Sequence, residues 1–152
     1  MEDNTQKIFQ KIYASKAWGG TADDDFCSGP GSYLPELVAP YLEAIRSFAA
    51  GRPRADAVDL GCGDFNIGSQ LRHLFGRYVA CDIVPELIER NARRFGDLDV
   101  EFRCLDLSRD ALPPGDIVFL RYVLQHLSNE RIATLVPVSY THLRAHETKA
   151  NL

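Results

Sequence analysis

A chain of 152 residues has room for one domain built around a single hydrophobic core. Its net charge of −4 provides no excess of positive charge that would attract nucleic acid or an anionic membrane. The charge therefore favours a small-molecule partner. The N-terminus MEDNTQKIFQ is polar, and no apolar run approaches the roughly 18 residues of a membrane span, so we expect a cytoplasmic protein.

The N-terminal third of the chain is predicted to contain two helices separated by a loop. Residues 5–14 predict a short helix, and residues 19–32, rich in Gly, Asp and Ser, predict the loop. Apolar side chains then recur at three- and four-residue steps from Leu34 to Phe48, which predicts a longer helix. We expect residues 1–54 to place these helices and a lid loop over the functional site.

Short apolar strands alternate with helices from residue 55 onward. The predicted strands are 55–60, 78–82, 100–104 and 116–120. Helical patterns fill the first two intervals. This alternation predicts an α/β fold with a Rossmann-like, doubly wound parallel sheet, helices on both faces and about four strands present. Such sheets bind ligands at the carboxyl ends of their strands.

The four cysteines contain no C-x-x-C pair, which argues against a zinc or redox site. Cysteine usually behaves as a small buried hydrophobe, so we predict reduced core thiols at Cys27, Cys62, Cys81 and Cys104.

The clearest functional signal is the run VDLGCG at residues 58–63, where a strand leads directly into a G-x-G turn and a helix. Gly61 and Gly63 allow the backbone to approach a ligand closely, and the helix behind them offers free N–H groups. A G-x-G pattern alone is weak, and a plain strand–helix turn is the alternative.

Two carboxylates follow the next two strands. Asp82 ends the second strand and Asp106 follows the third, so both fall at the sheet edge that holds the glycines. An acid at the first position can accept two hydrogen bonds from a ribose diol, and one at the second can reach an adenine amino group. Each alone is more often a solvated residue or a helix cap, and Asp82 could cap the helix starting at Pro85. Together they predict a nucleoside site.

A nicotinamide cofactor is the competing ligand. Its G-x-G-x-x-G fingerprint needs a third glycine where this sequence has Asn66. Asp59 precedes the glycines, where it would repel a pyrophosphate but could reach the ammonium group of S-adenosylmethionine (SAM).

Four segments, taken together, resemble class I SAM-dependent methyltransferases over roughly residues 55–130. These segments are VDLGCGDF, ACDIV, RCLDL and DIVFLRYVLQHL. The resemblance implies SAM as cofactor, with the methionine end near the glycines, the ribose held by Asp82 and the adenine framed by Asp106 with Leu105 or Leu107. The implied cofactor residues are Asp59, Gly61, Cys62, Gly63, Asp82, Ile83, Leu105, Asp106, Leu107 and Arg121.

The sequence departs from the family at Phe65, where a further glycine is frequent. A ring at this position is expected either to pack over the cofactor or to move the turn.

The segment after the fourth strand should face the transferable methyl group. Methyl transfer needs in-line positioning, and a general base is needed only for a weakly acidic acceptor such as a hydroxyl. His126 is the best base candidate, because its ordinary pKa lies near neutrality. The alternative is that His126 only orients the loop. Tyr13 and Trp18 could pack on the sulfonium from the lid, whereas Tyr33 is expected in the core.

We therefore expect SAM-dependent methyl transfer to a small-molecule acceptor. Two alternatives stay open: a SAM- or nucleotide-binding module without catalysis, and an NAD(P)-dependent oxidoreductase. The sequence predicts neither a metal site nor a particular oligomeric state.

The C-terminal residues do not continue the pattern. A class I domain continues with three further strands, but residues 138–148, VSYTHLRAHET, resemble the translation of a transposase sequencing adapter. We predict a truncated core at 55–136 and a non-native tail at 137–152, and hence an inactive fragment. His142 and His146 have the i, i+4 spacing of a metal pair, which we discount for the same reason.

Overall fold

The computed structural model describes residues 5–21 and 25–142, the last six of these by their backbone alone. Its sheet has four parallel strands in the order β3–β2–β1–β4. The strands are β1 (Ala57–Leu60), β2 (Tyr78–Asp82), β3 (Glu101–Cys104) and β4 (Ile117–Phe119). The predicted parallel sheet is therefore confirmed, with β1 at its centre between β2 and β4.

The first four helices also fall where the periodicity predicts them, and a fifth helix near the C-terminus lies beyond the predicted elements. They are α1 (Thr5–Ala14), α2 (Pro35–Ala50), α3 (Asn66–Leu71), α4 (Pro85–Arg94) and α5 (Asn129–His142). Proline opens both α2 and α4, because its missing N–H and fixed φ suit the first turn of a helix. Within the described residues no helix has the length and apolar character needed to cross a membrane.

Alternation along β1 builds a core on each face of the sheet. Ala57 belongs to a cluster with Leu42 of α2 and Leu71 of α3. The next residue, Val58, belongs to a second cluster that contains Leu135 of α5. Successive side chains of a strand point to opposite faces, so helices cover both sides and the fold is doubly wound.

The outer strand β3 carries a charged surface. Arg77 and Arg103 both form ion pairs with Glu101, and charged side chains on an edge strand oppose pairing with another chain. All four cysteines are free, but Cys104 is exposed, so the prediction of a core thiol is wrong there. The reason is its place at the end of this edge strand.

Phe65 occupies the turn between β1 and α3 with φ of 63°, the left-handed region that most side chains avoid. Its ring is 0% exposed and makes edge contacts with Tyr78 and Phe102, with centroids 5.7 and 5.0 Å away. The ring belongs to the core cluster and does not line the cavity at the strand ends, so the first of the two expected arrangements, packing over the cofactor, is wrong. The backbone takes the conformation that glycine usually supplies, and the ring enters the core.

Helix α5 continues through His142, six residues past Val136. Residues 143–152, including His146, lie outside the described part of the chain. The non-native tail at 137–152 therefore stays a prediction.

We expect Phe65→Ala to lower the free energy of unfolding by about 3–5 kcal/mol, because it removes a fully buried ring and leaves a cavity. Phe48→Ala is the matched control, since Phe48 is 42% exposed on α2. Urea unfolding followed by circular dichroism measures both. Equal losses in the two variants would show that the ring of Phe65 is not part of a packed core.

Candidate functional site

A cavity of about 400 Å³ opens at the carboxyl ends of the strands. Ten of the residues predicted for the site line it: Asp59, Gly61, Cys62, Gly63, Asp82, Ile83, Asp106, Leu107, Arg121 and His126. Leu105, also predicted, is absent from this lining and packs against the core cluster on the α5 face of the sheet.

The glycine-rich turn between β1 and α3 forms the floor of the cavity. Gly61 and Gly63 have φ of 80° and 56°. A Cβ on Gly61 would lie 2.4 Å from Val123, and one on Gly63 would lie 2.3 Å from the Ser28 hydroxyl. The glycines are thus required twice, for their backbone conformation and for the close approach of two distant segments.

Asp82 joins this turn to the start of α4. One carboxylate oxygen accepts the Gly63 N–H at 3.1 Å, and the other accepts the Val84 N–H at 3.2 Å. Val84 immediately precedes α4, whose start has no side-chain capping bond, so Asp82 holds the residue before the helix and does not cap it. Burial raises the pKa of Asp82, and hydrogen bonds from the backbone N–H groups of Val84, Gly63 and Ile83 oppose this rise.

Asp59 lies on the central strand and also lines the cavity. Burial raises its pKa to about 7, and the nearby charge of Asp82 acts in the same direction. The Tyr78 hydroxyl donates to Asp59 at 3.2 Å, and this bond opposes the rise in pKa. Asp59 therefore changes charge near neutral pH, and a cation placed in the cavity would favour its ionised form.

Asp106 closes a tight turn at the third strand end. One of its carboxylate oxygens accepts the backbone N–H and the hydroxyl of Ser108, at 2.9 and 2.6 Å. These bonds fix the carboxylate in a part of the cavity wall that also includes Leu107.

His126 lies in the turn that follows β4, at the rim of the cavity. Its ring makes aromatic contacts with Phe9 and Trp18, with centroids 5.7 and 5.3 Å away. Partial burial lowers the pKa of His126, so the imidazole is neutral at pH 7 and able to accept a proton.

Arg121 connects the segment after β4 to the N-terminal part of the chain. It donates a hydrogen bond to the Gly31 carbonyl oxygen, and its guanidinium lies 4.9 Å from the Tyr41 ring centroid. Tyr41, Phe9 and Arg131 also line the cavity, and sequence reasoning missed them. No local pattern signals these residues, because they lie on three different helices, α1, α2 and α5, that only the fold brings to the cavity.

The predicted lid residues Tyr13 and Trp18 line the cavity. Tyr33 contradicts the prediction of a core residue, because it is 48% exposed. Its hydroxyl donates to the Asp64 carboxylate at 2.8 Å, and this bond holds the side chain at the surface.

The fold and the cavity together define a Rossmann-like α/β protein with a ligand site at the carboxyl edge of its sheet. Residues 58–146 match the methyltransferase domain family. This range is more than half of the chain, so the chain belongs to that family. The matched range includes the first ten residues of the predicted non-native tail. No protein of curated function matches the sequence.

Solved methyltransferase structures share the fold at low sequence identity. The N-methyltransferase NodS from Bradyrhizobium japonicum, solved with S-adenosylhomocysteine (SAH), has a TM-score of 0.69 and 16% identity over 93% of this chain. A SAM-dependent methyltransferase from Leishmania major has a TM-score of 0.63 and 19% identity over 72% of this chain. Magnesium protoporphyrin IX methyltransferase from Synechocystis, with bound SAH, has a TM-score of 0.60 and 15% identity over 93% of this chain. The chain spans 68%, 48% and 67% of these three proteins.

Asp59 should make stability depend on pH. Its pKa is raised from 3.8 to about 7 on folding, so its stabilising contribution is complete below pH 4 and is lost as pH rises through 7. We expect Asp59→Asn to affect the free energy of unfolding differently at the two pH values. Its effect at pH 7 should be more stabilising than its effect at pH 4 by on the order of 1–3 kcal/mol. Urea unfolding at both pH values measures this, with exposed Asp97→Asn as control. A pH-independent effect would contradict the assignment.

Proposed function

We propose that this chain is the SAM-binding part of a class I methyltransferase that acts on a small-molecule acceptor. The observation that carries the proposal is the convergence of Asp59, Asp82 and Asp106 on one cavity around a glycine-rich turn. Membership of the methyltransferase domain family supports the same conclusion. We further propose residues 1–54 as the lid region, 55–136 as the SAM-binding core and 137–152 as non-native.

The residues present fit SAM in the chemistry of their donors and acceptors. Asp82 has carboxylate oxygens for the ribose hydroxyls, and Asp59 offers a negative charge for the ammonium group. Gly61 and Gly63 carry no Cβ between the turn and the ligand, while Ile83 and Leu107 supply apolar surface for a base. A cavity of about 400 Å³ lies in the range of small-molecule sites.

SAM, when bound, supplies a methyl group on a sulfonium that a nucleophile can attack. The chain's own contribution is then to orient both reactants and to exclude water. Tyr13 and Trp18 enclose one side of the cavity, and their rings lie 5.3 Å apart in an edge arrangement. His126 lies at the rim, where its neutral imidazole can take the proton from a hydroxyl acceptor.

A small acceptor is favoured by the form of the site. The cavity is lined by aromatic and aliphatic side chains from α1, α2 and the segment after β4. This apolar enclosure suits a molecule that enters the cavity rather than a charged polymer that lies across it, and the net charge of −4 agrees. Phosphoethanolamine N-methyltransferase 1 from Haemonchus contortus, solved with phosphoethanolamine and SAH, has a TM-score of 0.58 and 16% identity, and shows that such acceptors occur on this fold.

A dinucleotide cofactor fits the same cavity less well. Asn66 occupies the position of the third fingerprint glycine, and its side-chain amide donates to the Ser32 carbonyl oxygen at 2.6 Å. The N-terminal segment therefore lies against the part of the turn that a pyrophosphate would approach.

We expect Asp82→Ala to weaken SAH binding by about 30–1000-fold, the equivalent of roughly 2–4 kcal/mol for two charge-assisted hydrogen bonds. Titration calorimetry of SAH, with NAD as a competing ligand, measures the effect. Exposed Asp97→Ala controls for loss of a negative charge. Undiminished SAH affinity in Asp82→Ala would show that this residue is not part of the site. Tighter binding of NAD than of SAH would show that the cofactor is a dinucleotide and not SAM.

His126→Ala should lower kcat far more than it changes the Kd of SAM in the methyltransferase that contains this domain. For a hydroxyl acceptor the loss should be about 10²–10⁴-fold, the usual range for a single general base. For a neutral amine the loss should be small, because alignment alone is needed. Activity of the wild type should rise with pH through a pKa below 6.5, because burial lowers that of His126.

Measurements of kcat and SAM Kd across pH check this assignment. Intact kcat with weakened SAM binding would make His126 a cofactor-loop residue. If the variant is slow at every pH but its activity still titrates near neutral pH, His126 has a positioning role.

A further inference from the structure

Asp64 follows Gly63 in the glycine-rich turn and is buried, with 3% of its surface exposed. One carboxylate oxygen accepts the Ser28 N–H and the Tyr33 hydroxyl, both at 2.8 Å. Its own backbone N–H donates to the Ser28 hydroxyl at 2.8 Å. A single turn residue therefore makes three hydrogen bonds to a segment more than thirty positions earlier in the chain.

The second carboxylate oxygen of Asp64 serves the turn itself. It accepts the Asn66 N–H at 3.1 Å, at the first residue of α3. The Arg90 guanidinium donates to the Asp64 carbonyl oxygen at 3.1 Å and so anchors the same residue from α4. Asp64 is thus held rigidly on the sheet side, and its remaining oxygen is available to the N-terminal segment.

The electrostatics at Tyr33 favour this attachment. Burial and the neighbouring Asp64 carboxylate raise the pKa of Tyr33, so its hydroxyl stays protonated and donates. Without the Tyr33 hydroxyl and the Ser28 N–H, the buried Asp64 carboxylate would still be removed from water but would lack these hydrogen bonds. That loss would cost free energy. These hydrogen bonds therefore stabilise the N-terminal segment in its observed position.

The segment Ser28–Tyr33 that Asp64 holds is a wall of the cavity. Its residues Ser28 to Ser32 all line the site. Its Gly31 carbonyl accepts a hydrogen bond from Arg121, and a Cβ on Gly31 would lie 2.5 Å from the Tyr122 ring. The segment therefore lies between the glycine-rich turn and the residues that follow β4.

We propose that Asp64 is a positioning residue that holds the segment Ser28–Tyr33 closed against the glycine-rich turn, so that the wall of the cavity is in place for the ligand. The identity of the ligand rests on the proposed function, but the attachment of the segment does not. Asp64 acts through Ser28 and Tyr33 rather than on the reacting atoms.

Two substitutions test the attachment. In Asp64→Asn one acceptor oxygen becomes an NH₂ group, so the side chain loses either the pair of bonds to Ser28 and Tyr33 or the bond to Asn66. Tyr33→Phe removes one donor from a half-exposed residue and preserves the fold. Asp97→Asn, an exposed carboxylate to amide change, is the matched control.

Amide hydrogen exchange of the 152-residue chain gives a readout that does not depend on activity. We expect exchange of residues 26–34 to accelerate by about tenfold or more in Asp64→Asn, and by less in Tyr33→Phe. The reason is that each substitution removes charge-assisted hydrogen bonds that hold the segment in place. Residues 78–82 of β2 serve as the reference and should be unchanged. Unchanged exchange at 26–34 in both variants, or equal acceleration in β2, would overturn the proposal.

Calorimetric titration with SAH tests the link to the ligand. We expect the Kd of SAH to rise by about tenfold or more in Asp64→Asn, and SAH to slow exchange at 26–34 in the wild type but not in this variant. Faster exchange with an unchanged SAH Kd would overturn the positioning role. Failure of the wild type to bind SAH would reject the proposed function, while the exchange of the free chain would still decide whether Asp64 holds the segment.

Discussion

The glycine-rich turn between β1 and α3 has to accommodate three other parts of the chain within a few ångströms. Val123 approaches Gly61, the Ser28 hydroxyl approaches Gly63, and the Asp82 carboxylate accepts a hydrogen bond from the Gly63 N–H. The first two of these contacts leave no room for a Cβ on the glycine. The N-terminal segment, the second strand and the segment after β4 therefore meet at one point because the turn is narrow there.

Burial of carboxylates beside this turn sets the electrostatics of the cavity. Asp64 lies in the turn and Asp82 at the adjacent end of β2, and the carboxylates of both accept backbone N–H groups. Asp59 has a hydroxyl donor instead and keeps a pKa of about 7. The backbone hydrogen bonds oppose the rise that burial causes in the pKa of Asp82, and the ionised form of Asp59 would be favoured by a cation in the cavity.

The cavity is formed by a sheet edge and an N-terminal cover, and both hydrogen bonds and aromatic contacts join the two. Asp64 fastens the segment Ser28–Tyr33 to the turn, and Arg121 fastens it to the residues after β4. Hydrogen bonds of this kind depend on geometry, so the wall has a defined position. This arrangement suits a site in which two reactants must be aligned, as methyl transfer requires.

The sequence by itself determined the order of strands and helices, the parallel sheet and the acids at its carboxyl edge, because periodicity and strand ends are local properties. Ten of the eleven predicted site residues consequently line the cavity, and Leu105 packs against the neighbouring core cluster. Only the tertiary structure decided the conformation of Phe65, the exposure of Tyr33 and the attachment of Ser28 to Asp64. These features depend on which distant segments pack together, and contacts between residues more than thirty positions apart leave no periodic trace in a single sequence.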